Sequence, residues 1–270
     1  MYYLRNFDKQ ADAIGQKAYL PTVAIVGGVN KVGYFDGDAS KDNVFAEDGD
    51  FIKIGEAKET RLVCTYNVTS TTGATSLVDT YYFDSMEVDG IETTIASAYT
   101  FTSTGEHTVK YTLKDNTSIG NTTFYQRTSL TSIVIPDSVT SIGRYAFGGC
   151  TKLASVDIPD NVTSIGDNAF DSTPWYKSYS ADTANQYYNI VYINNVAYQA
   201  TSTGITSCEF KEGTVSIGGA AFGWCNNLAT ITYTGTVARW KAITKDNWYY
   251  NVPSTTKVTC SDGVCGLDEK

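Results

Sequence analysis

A short apolar motif returns along this chain at a fixed spacing, and that recurrence limits the fold more than any other feature. Ser132-Ile133-Val134-Ile135-Pro136 is echoed 23 residues later by Ser155-Val156-Asp157-Ile158-Pro159. Ile142-Gly143 and Ala146-Phe147 return at Ile165-Gly166 and Ala169-Phe170 with the same shift. Ile119-Gly120 and Phe124 stand one period earlier. Ile217-Gly218 and Ala221-Phe222 stand 52 residues after the third copy, one period plus 29. A second pattern threads between these: Leu130-x-x-Ile133-x-Ile135, Leu153-x-x-Val156-x-Ile158 and Leu228-x-x-Ile231-x-Tyr233. Alternate residues of such short strands share one face. A unit of 23 residues cannot bury its own Leu/Ile/Phe edge, whereas stacked units line up parallel strands around a continuous core. The Gly after each Ile suits a tight bend where a side chain would clash. The Phe of each Ala-Phe pair is expected to form an interior ladder. The Pro after a strand ends its pairing, having no N–H.

The stretch SLTSIVIPDSVTSIGRYAFGGCTKLASVDIPDNVTSIGDNAF resembles the BspA-type leucine-rich repeat almost position by position, and the likeness covers about residues 116–260. That family is common in surface proteins of gut and oral anaerobes and of some protozoa. The resemblance implies a solenoid used for recognition rather than catalysis. The first copy departs from the pattern with Asn116 and Thr123, and the last with Thr214, as capping coils commonly do. The repeat domain is placed at 115–270, with an insertion at 171–204 and a cap at 234–270. Within the insertion, two alternating runs around Asn194-Asn195 predict a β-hairpin. Thr236 to Ile243 reads as a short helix, N-capped by Thr236, with Trp240 over the open end of the stack. Lys257-Val258-Thr259-Cys260 is a final strand.

Residues 56–114 carry a different rhythm. Arg61–Val68, Thr80–Phe83 and His107–Leu113 alternate, and Met86–Glu92 has Asp89-Gly90 at a hairpin turn. About six short strands fit a small β-sandwich, and its closing strands resemble immunoglobulin- or PKD-like domains. No Pro/Gly/Ser linker separates it from the first coil, so a fixed joint is expected. Residues 1–55 offer strands at Pro21–Val26, Lys31–Phe35 and Phe51–Ile54. They are too short for a comfortable core and read as a docking arm. The fold class is therefore mainly β, a sandwich followed by a short solenoid.

Charge and chemistry narrow the function. The 29 acidic against 20 basic residues give a net charge of -9, which disfavours phosphate backbones and anionic membranes. No run reaches the ~18 apolar residues of a membrane span. MYYLRNFDKQADAIGQKAYL has no apolar core of a secretion leader, so the chain is expected to stay inside the cell that makes it unless it leaves by lysis, particle assembly or another export route. With one His and no CxxC among six Cys, no metal site is expected. Cys150 and Cys225 share a repeat slot and read as buried packing residues. Cys260 and Cys265 are close enough in sequence to bridge. Gly27-Gly28 lacks a phosphate-loop sequel, Asp36, Asp38 and Asp42 lack the Gly and Glu of a calcium loop, and His107 lacks a nucleophile partner. No catalytic residue and no cofactor is expected.

The aromatic residues are the better lead. Trp175, Tyr176, Tyr179, Tyr187 and Tyr188 crowd the insertion, and Trp248, Tyr249 and Tyr250 crowd the cap. Such side chains either close the edges of the core or offer rigid, amphipathic contact area. Trp224, in the slot of Gly149, reads as structural. The layout of anchor, sandwich and recognition module resembles bacteriophage fibre, decoration and tail proteins of gut Bacteroidetes phages. The expectation is a non-enzymatic virion protein at the particle surface. It would bind other virion proteins through residues 1–55 and a host-surface glycan or protein through the repeats, as a monomer or a homo-oligomer. A cellular BspA-like adhesin is the alternative, and a polysaccharide hydrolase stands last.

Overall fold

The computed structural model describes residues 60–245 and 247–267, together with the backbone of a hairpin at 21–26 and 29–34. The chain divides into two units, 1–59 and 60–270. In the first, strands β1 (Pro21–Val26) and β2 (Val29–Tyr34) pair antiparallel. The rest of the docking arm, the strand expected at 51–54, the Asp36–Asp42 loop and Gly27-Gly28 lie outside the described residues.

The second unit begins with β3 (Leu62–Val68), β4 (Thr75–Ser76), β5 (Phe83–Val88), β6 (Ile91–Thr93), β7 (Ala98–Tyr99) and β8 (Gly105–Leu113). Strict alternation in β3 and β8 buries Leu62, Cys64, Tyr66, Val109 and Tyr111 on one side. Asp89 and Gly90 both take positive φ, the twist a two-residue hairpin requires. The alternation in Thr80–Phe83 is not a strand throughout. Asp79 accepts a hydrogen bond from the Tyr81 N–H and winds Thr80–Tyr82 into a 3-10 turn, and β5 starts only at Phe83.

The immunoglobulin-like pairing of two sheets is not what forms here. β6, β5, β8 and β3 make one antiparallel layer, and β4 with β7 is a separate two-stranded ladder. The free edge of β3 takes β10 (Leu130–Val134), the first strand of the solenoid, and β10 takes β12 (Ser155–Asp157). An unpaired edge is a liability in any sheet, and here each module covers the other's. The result is one six-stranded sheet running across residue 115, which is the fixed joint.

The repeats then build two ladders. One joins β9 (Ser118–Ile119), β11 (Ser141–Ile142) and β13 (Ser164–Ile165) in parallel. The insertion contributes α1 (Pro174–Ala181), β14 (Gln186–Tyr187), β15 (Ile190–Ile193) and β16 (Val196–Ala200). The expected hairpin is β15–β16, with Asn194 at φ +54. It is more than an appended island, because β16 pairs in parallel with β18 (Ser216–Ile217) and so fills one level of the stack. The two runs that read as alternating are in fact buried on both faces, one against each of two cores. β17 (Ser207–Phe210), β19 (Thr230–Tyr233), β21 (Lys257–Cys260) and β22 (Gly263–Cys265) form the second strand face. Between them, α2 (Val237–Ala242) is capped by the Thr236 hydroxyl, which accepts from the Arg239 N–H, and β20 (Thr244–Lys245) extends the β16–β18 ladder. Trp240 is fully buried against Phe210, Tyr233 and Trp248, closing the end as expected.

Two details explain the repeat. Phe124, Phe147 and Phe170 stack nearly parallel at 5.2 and 5.3 Å, and the ladder ends on Phe83 and Tyr111 of the preceding sheet. The Gly after each Ile serves close approach rather than a bend. A Cβ at Gly143 or Gly166 would come within 2.6 Å of the Asn121 or Arg144 backbone nitrogen of the previous coil.

Candidate functional site

The strand register places two rows of side chains across the outward face of the six-stranded sheet. Asp157, Val134, Val63, Lys110, Glu87 and Glu92 form one row, and Ser155, Ser132, Thr65 and Thr108 the next. None of these is buried. At the usual strand spacing the face is about 24 Å wide. Arg61 bonds Glu87 at 2.9 Å and Glu92 at 3.4 Å, which neutralises part of its acidic edge. Across the insertion, β17, β19 and β21 carry a second row of Ser207, Thr230 and Lys257, and another of Glu209, Thr232 and Thr259. Short hydroxyl side chains make up one of the two rows on the first face and most of the second face, while the inward slots are taken by apolar and aromatic residues.

The aromatic candidates separate into two groups. Trp175 lies on Phe170 at 4.6 Å and on Tyr179 at 4.9 Å, covering the first core. Tyr176 stands edge-on to Tyr198 and donates its hydroxyl hydrogen to Gln199 at 2.7 Å, and Tyr179 donates to the Tyr192 carbonyl at 2.9 Å. Burial pushes both phenols up from their ordinary pKa. Trp248 is only 2% exposed and lies against Phe222 and Tyr249. These four side chains hold the structure together rather than face a ligand.

Of the others, Tyr187 and Tyr249 are half-buried against the second core, while Tyr188 and Tyr250 stand at the surface. Tyr187 donates to Glu209 at 2.6 Å, a bond that helps raise its pKa to about 12, and its ring meets Tyr188 edge-on at 4.8 Å. Tyr188 is 65% exposed beside the edge of β17, where its carbonyl accepts from the Glu209 N–H. Tyr250 is 43% exposed and pairs edge-on with Trp224, which is 57% exposed at 5.3 Å. Trp224 therefore does not have the structural place that its slot suggests. The sequence signal was present: an indole where another coil has Gly149 cannot point inward through a turn that has no room for it.

Groups with reactive potential are held quiet. His107 bonds Asp89 at 2.7 Å and the Ser103 carbonyl at 3.0 Å, and the Asp89 hydrogen bond raises its pKa. All six cysteines are buried thiols. Burial pushes Cys150 and Cys260 up to about 12. Cys150 also hydrogen-bonds the Phe124 carbonyl of the previous coil, a packing role. Among the described residues no cluster of three His, Cys, Asp or Glu could hold a metal. A depression of about 260 Å³ is lined by Thr69, Ser70, Thr75, Ser76, Thr128 and Ser129. A second, between Asn168, Asp171, Tyr176 and Gln199, is about 30 Å³, room for one or two waters.

A family model for the BspA type leucine rich repeat region matches residues 117–251 and 191–269, in six copies. The chain belongs to the BspA-type leucine-rich repeat family. No curated protein matches the chain significantly. A solved leucine-rich repeat protein of T. pallidum is similar at 22% identity, covering 53% of this chain and 45% of that one, with a TM-score of 0.23. A leucine-rich repeat protein from Eubacterium ventriosum is similar at 18% identity, covering 46% of this chain and 25% of its own, with a TM-score of 0.23. The chain thus spans less than half the length of either.

Proposed function

We propose that this BspA-like chain is a non-enzymatic adhesion and interaction module that binds a glycan or protein on a bacterial surface. The observation that carries the reading is the exposed face of the six-stranded sheet, about 24 Å wide and carrying a row of Ser and Thr in register. Hydroxyls on rigid strands offer both donors and acceptors with little side-chain freedom to lose, which suits a polar ligand. The site of action we propose is the surface of a virion, with residues 1–55 attached to other particle proteins. Exposure on a bacterial cell is the other setting, and immunogold labelling of infected and uninfected cultures separates the two. The binding itself is tested with labelled full chain and intact host cells in flow cytometry. Saturable binding is expected, abolished by periodate for a glycan receptor and by protease for a protein receptor. Absence of saturable binding to any cell tested would remove the reading.

A further inference from the structure

We infer that Trp224 and Tyr250 form an aromatic platform for a neutral sugar ring, one ring taking its apolar face and the other, set edge to face, walling its side. The inference rests on the adhesion reading and names the ligand class of one site within it.

The first argument is backbone strain with no packing return. Each of five coils carries two left-handed residues four apart, such as Tyr145 and Gly149, and Ala220 and Trp224. At the second place the other coils use Gln126, Gly149, Ser172 and Asn251. A bulky side chain in that conformation costs about 1–2 kcal/mol. Trp224, at φ +66, keeps more than half of its surface in solvent, so core burial does not offset the strain. Inter-coil hydrogen bonds hold this backbone in the other coils too, so what sets Trp224 apart is a large ring kept in solvent where they carry Gly or a polar side chain.

The second argument is that the pair is already rigid. The Trp224 N–H donates to the Tyr250 carbonyl at 3.0 Å, locking the two coils in step. Gly223 lies directly under the phenol, where a Cβ would come within 2.6 Å of Cε1 and Cζ. The rings stand edge to face at 84°. A ligand meeting this pair immobilises little that was free.

The third argument is charge. Segments 223–228 and 247–251 contain no Asp, Glu, Lys or Arg, and Asn226, Asn227 and Asn251, next to the two rings in sequence, are exposed. Neutral amides bond hydroxyls, and aromatic faces receive the C–H side of a pyranose. An anionic ligand finds no counter-charge here and meets a chain of net charge -9. Two half-exposed rings are also far short of the roughly 800 Å² per partner of a stable protein interface, so the occupant is small.

The test is affinity gel electrophoresis of the full chain in gels containing laminarin, mannan or soluble starch, with alginate as the acidic control. Wild type is expected to be retarded by at least one neutral polysaccharide and not by alginate. Trp224→Gly is expected to weaken that binding at least tenfold while its Tm stays equal or rises, because Gly suits the backbone there. Tyr250→Ala is the second variant and should weaken binding as well. Equal retardation of wild type and Trp224→Gly, retardation by alginate alone, or none in any neutral gel would overturn the inference. Cell binding by the same proteins separates the two levels. If wild type and Trp224→Gly bind cells equally, only the platform fails. If wild type binds no cells, the adhesion reading fails with it.

Discussion

Truncating Phe147 to Ala removes the middle ring of the aromatic ladder. That ring is fully buried and lies 5.2 Å from Phe124 and 5.3 Å from Phe170, within 8° and 6° of parallel. A Phe→Ala change in a core costs about 3–5 kcal/mol, the upper end applying where the walls cannot close on the cavity. Here they cannot. Gly143 and Gly166 already bring neighbouring coils to backbone contact, so the coil spacing is at its minimum. The two stacked pairs, worth about 0.5–1.5 kcal/mol each beyond area burial, also place the change at the upper end of that range. The expected loss is about 5 kcal/mol. For a unit of this size each kcal/mol moves Tm by about 2–4 °C, so Tm should fall by roughly 10–20 °C. Circular dichroism melts with a urea series would measure both. Val134→Ala, in β10 of the same coil but 42% exposed, is the control and should stay within about 0.5 kcal/mol. A loss below about 2 kcal/mol for Phe147→Ala would refute the reasoning, because it would mean that the coils can collapse onto the gap.

Three further outcomes follow from the same geometry. Gly143→Ala should cost about 1–3 kcal/mol in a urea titration, since the added methyl meets the Asn121 backbone nitrogen; an unchanged midpoint would show that the coils can part. The raised pKa of His107 means that its charged bond to Asp89 adds stability fully below the unfolded value of about 6.5, and that this is lost as pH rises through the folded value. The Tm deficit of His107→Gln should therefore be largest near pH 5.5 and shrink towards pH 9, and a deficit that grows with pH would reverse the sign. Ellman's reagent should find none of the six thiols reactive in native protein at pH 8 and all six in guanidinium, because each is buried. Rapid reaction in the native state would mean that the sheets open readily.

The legible parts of the sequence were those where a slot is filled by its commonest residue. Ile142-Gly143 and Ala146-Phe147 named their coils because large apolar, Gly and small residues each met a separate steric demand. Ile205-x-x-Cys208-x-Phe210 fills the same strand slots as Leu228-x-x-Ile231-x-Tyr233, yet Cys and Phe hid β17. Thr173-Pro174 is an N-cap followed by Pro in the first turn, a legible start for α1 that went unread. The paired left-handed turns left little trace, because a side chain at positive φ is tolerated when each coil's N–H groups bond the next coil. The shared sheet was invisible for a different reason: β3 and β10 lie more than 60 residues apart, and nothing in either strand specifies its partner. Of the aromatic candidates, exposure distinguished Tyr188 and Tyr250 from Trp175 and Trp248, and composition carries no information on exposure.

The central claim is that residues 60–114 are the N-terminal closure of the solenoid, sharing its sheet and its core. Hydrogen exchange of the full chain, read by mass spectrometry for wild type and Phe147→Ala, tests it most directly. If the claim holds, β3, β8, β10 and β12 exchange with a common opening free energy, and Phe147→Ala lowers it equally in all four. Protection in β3 and β8 that is unmoved by Phe147→Ala, while β10 and β12 lose theirs, would contradict it and make the preceding sheet a domain of its own.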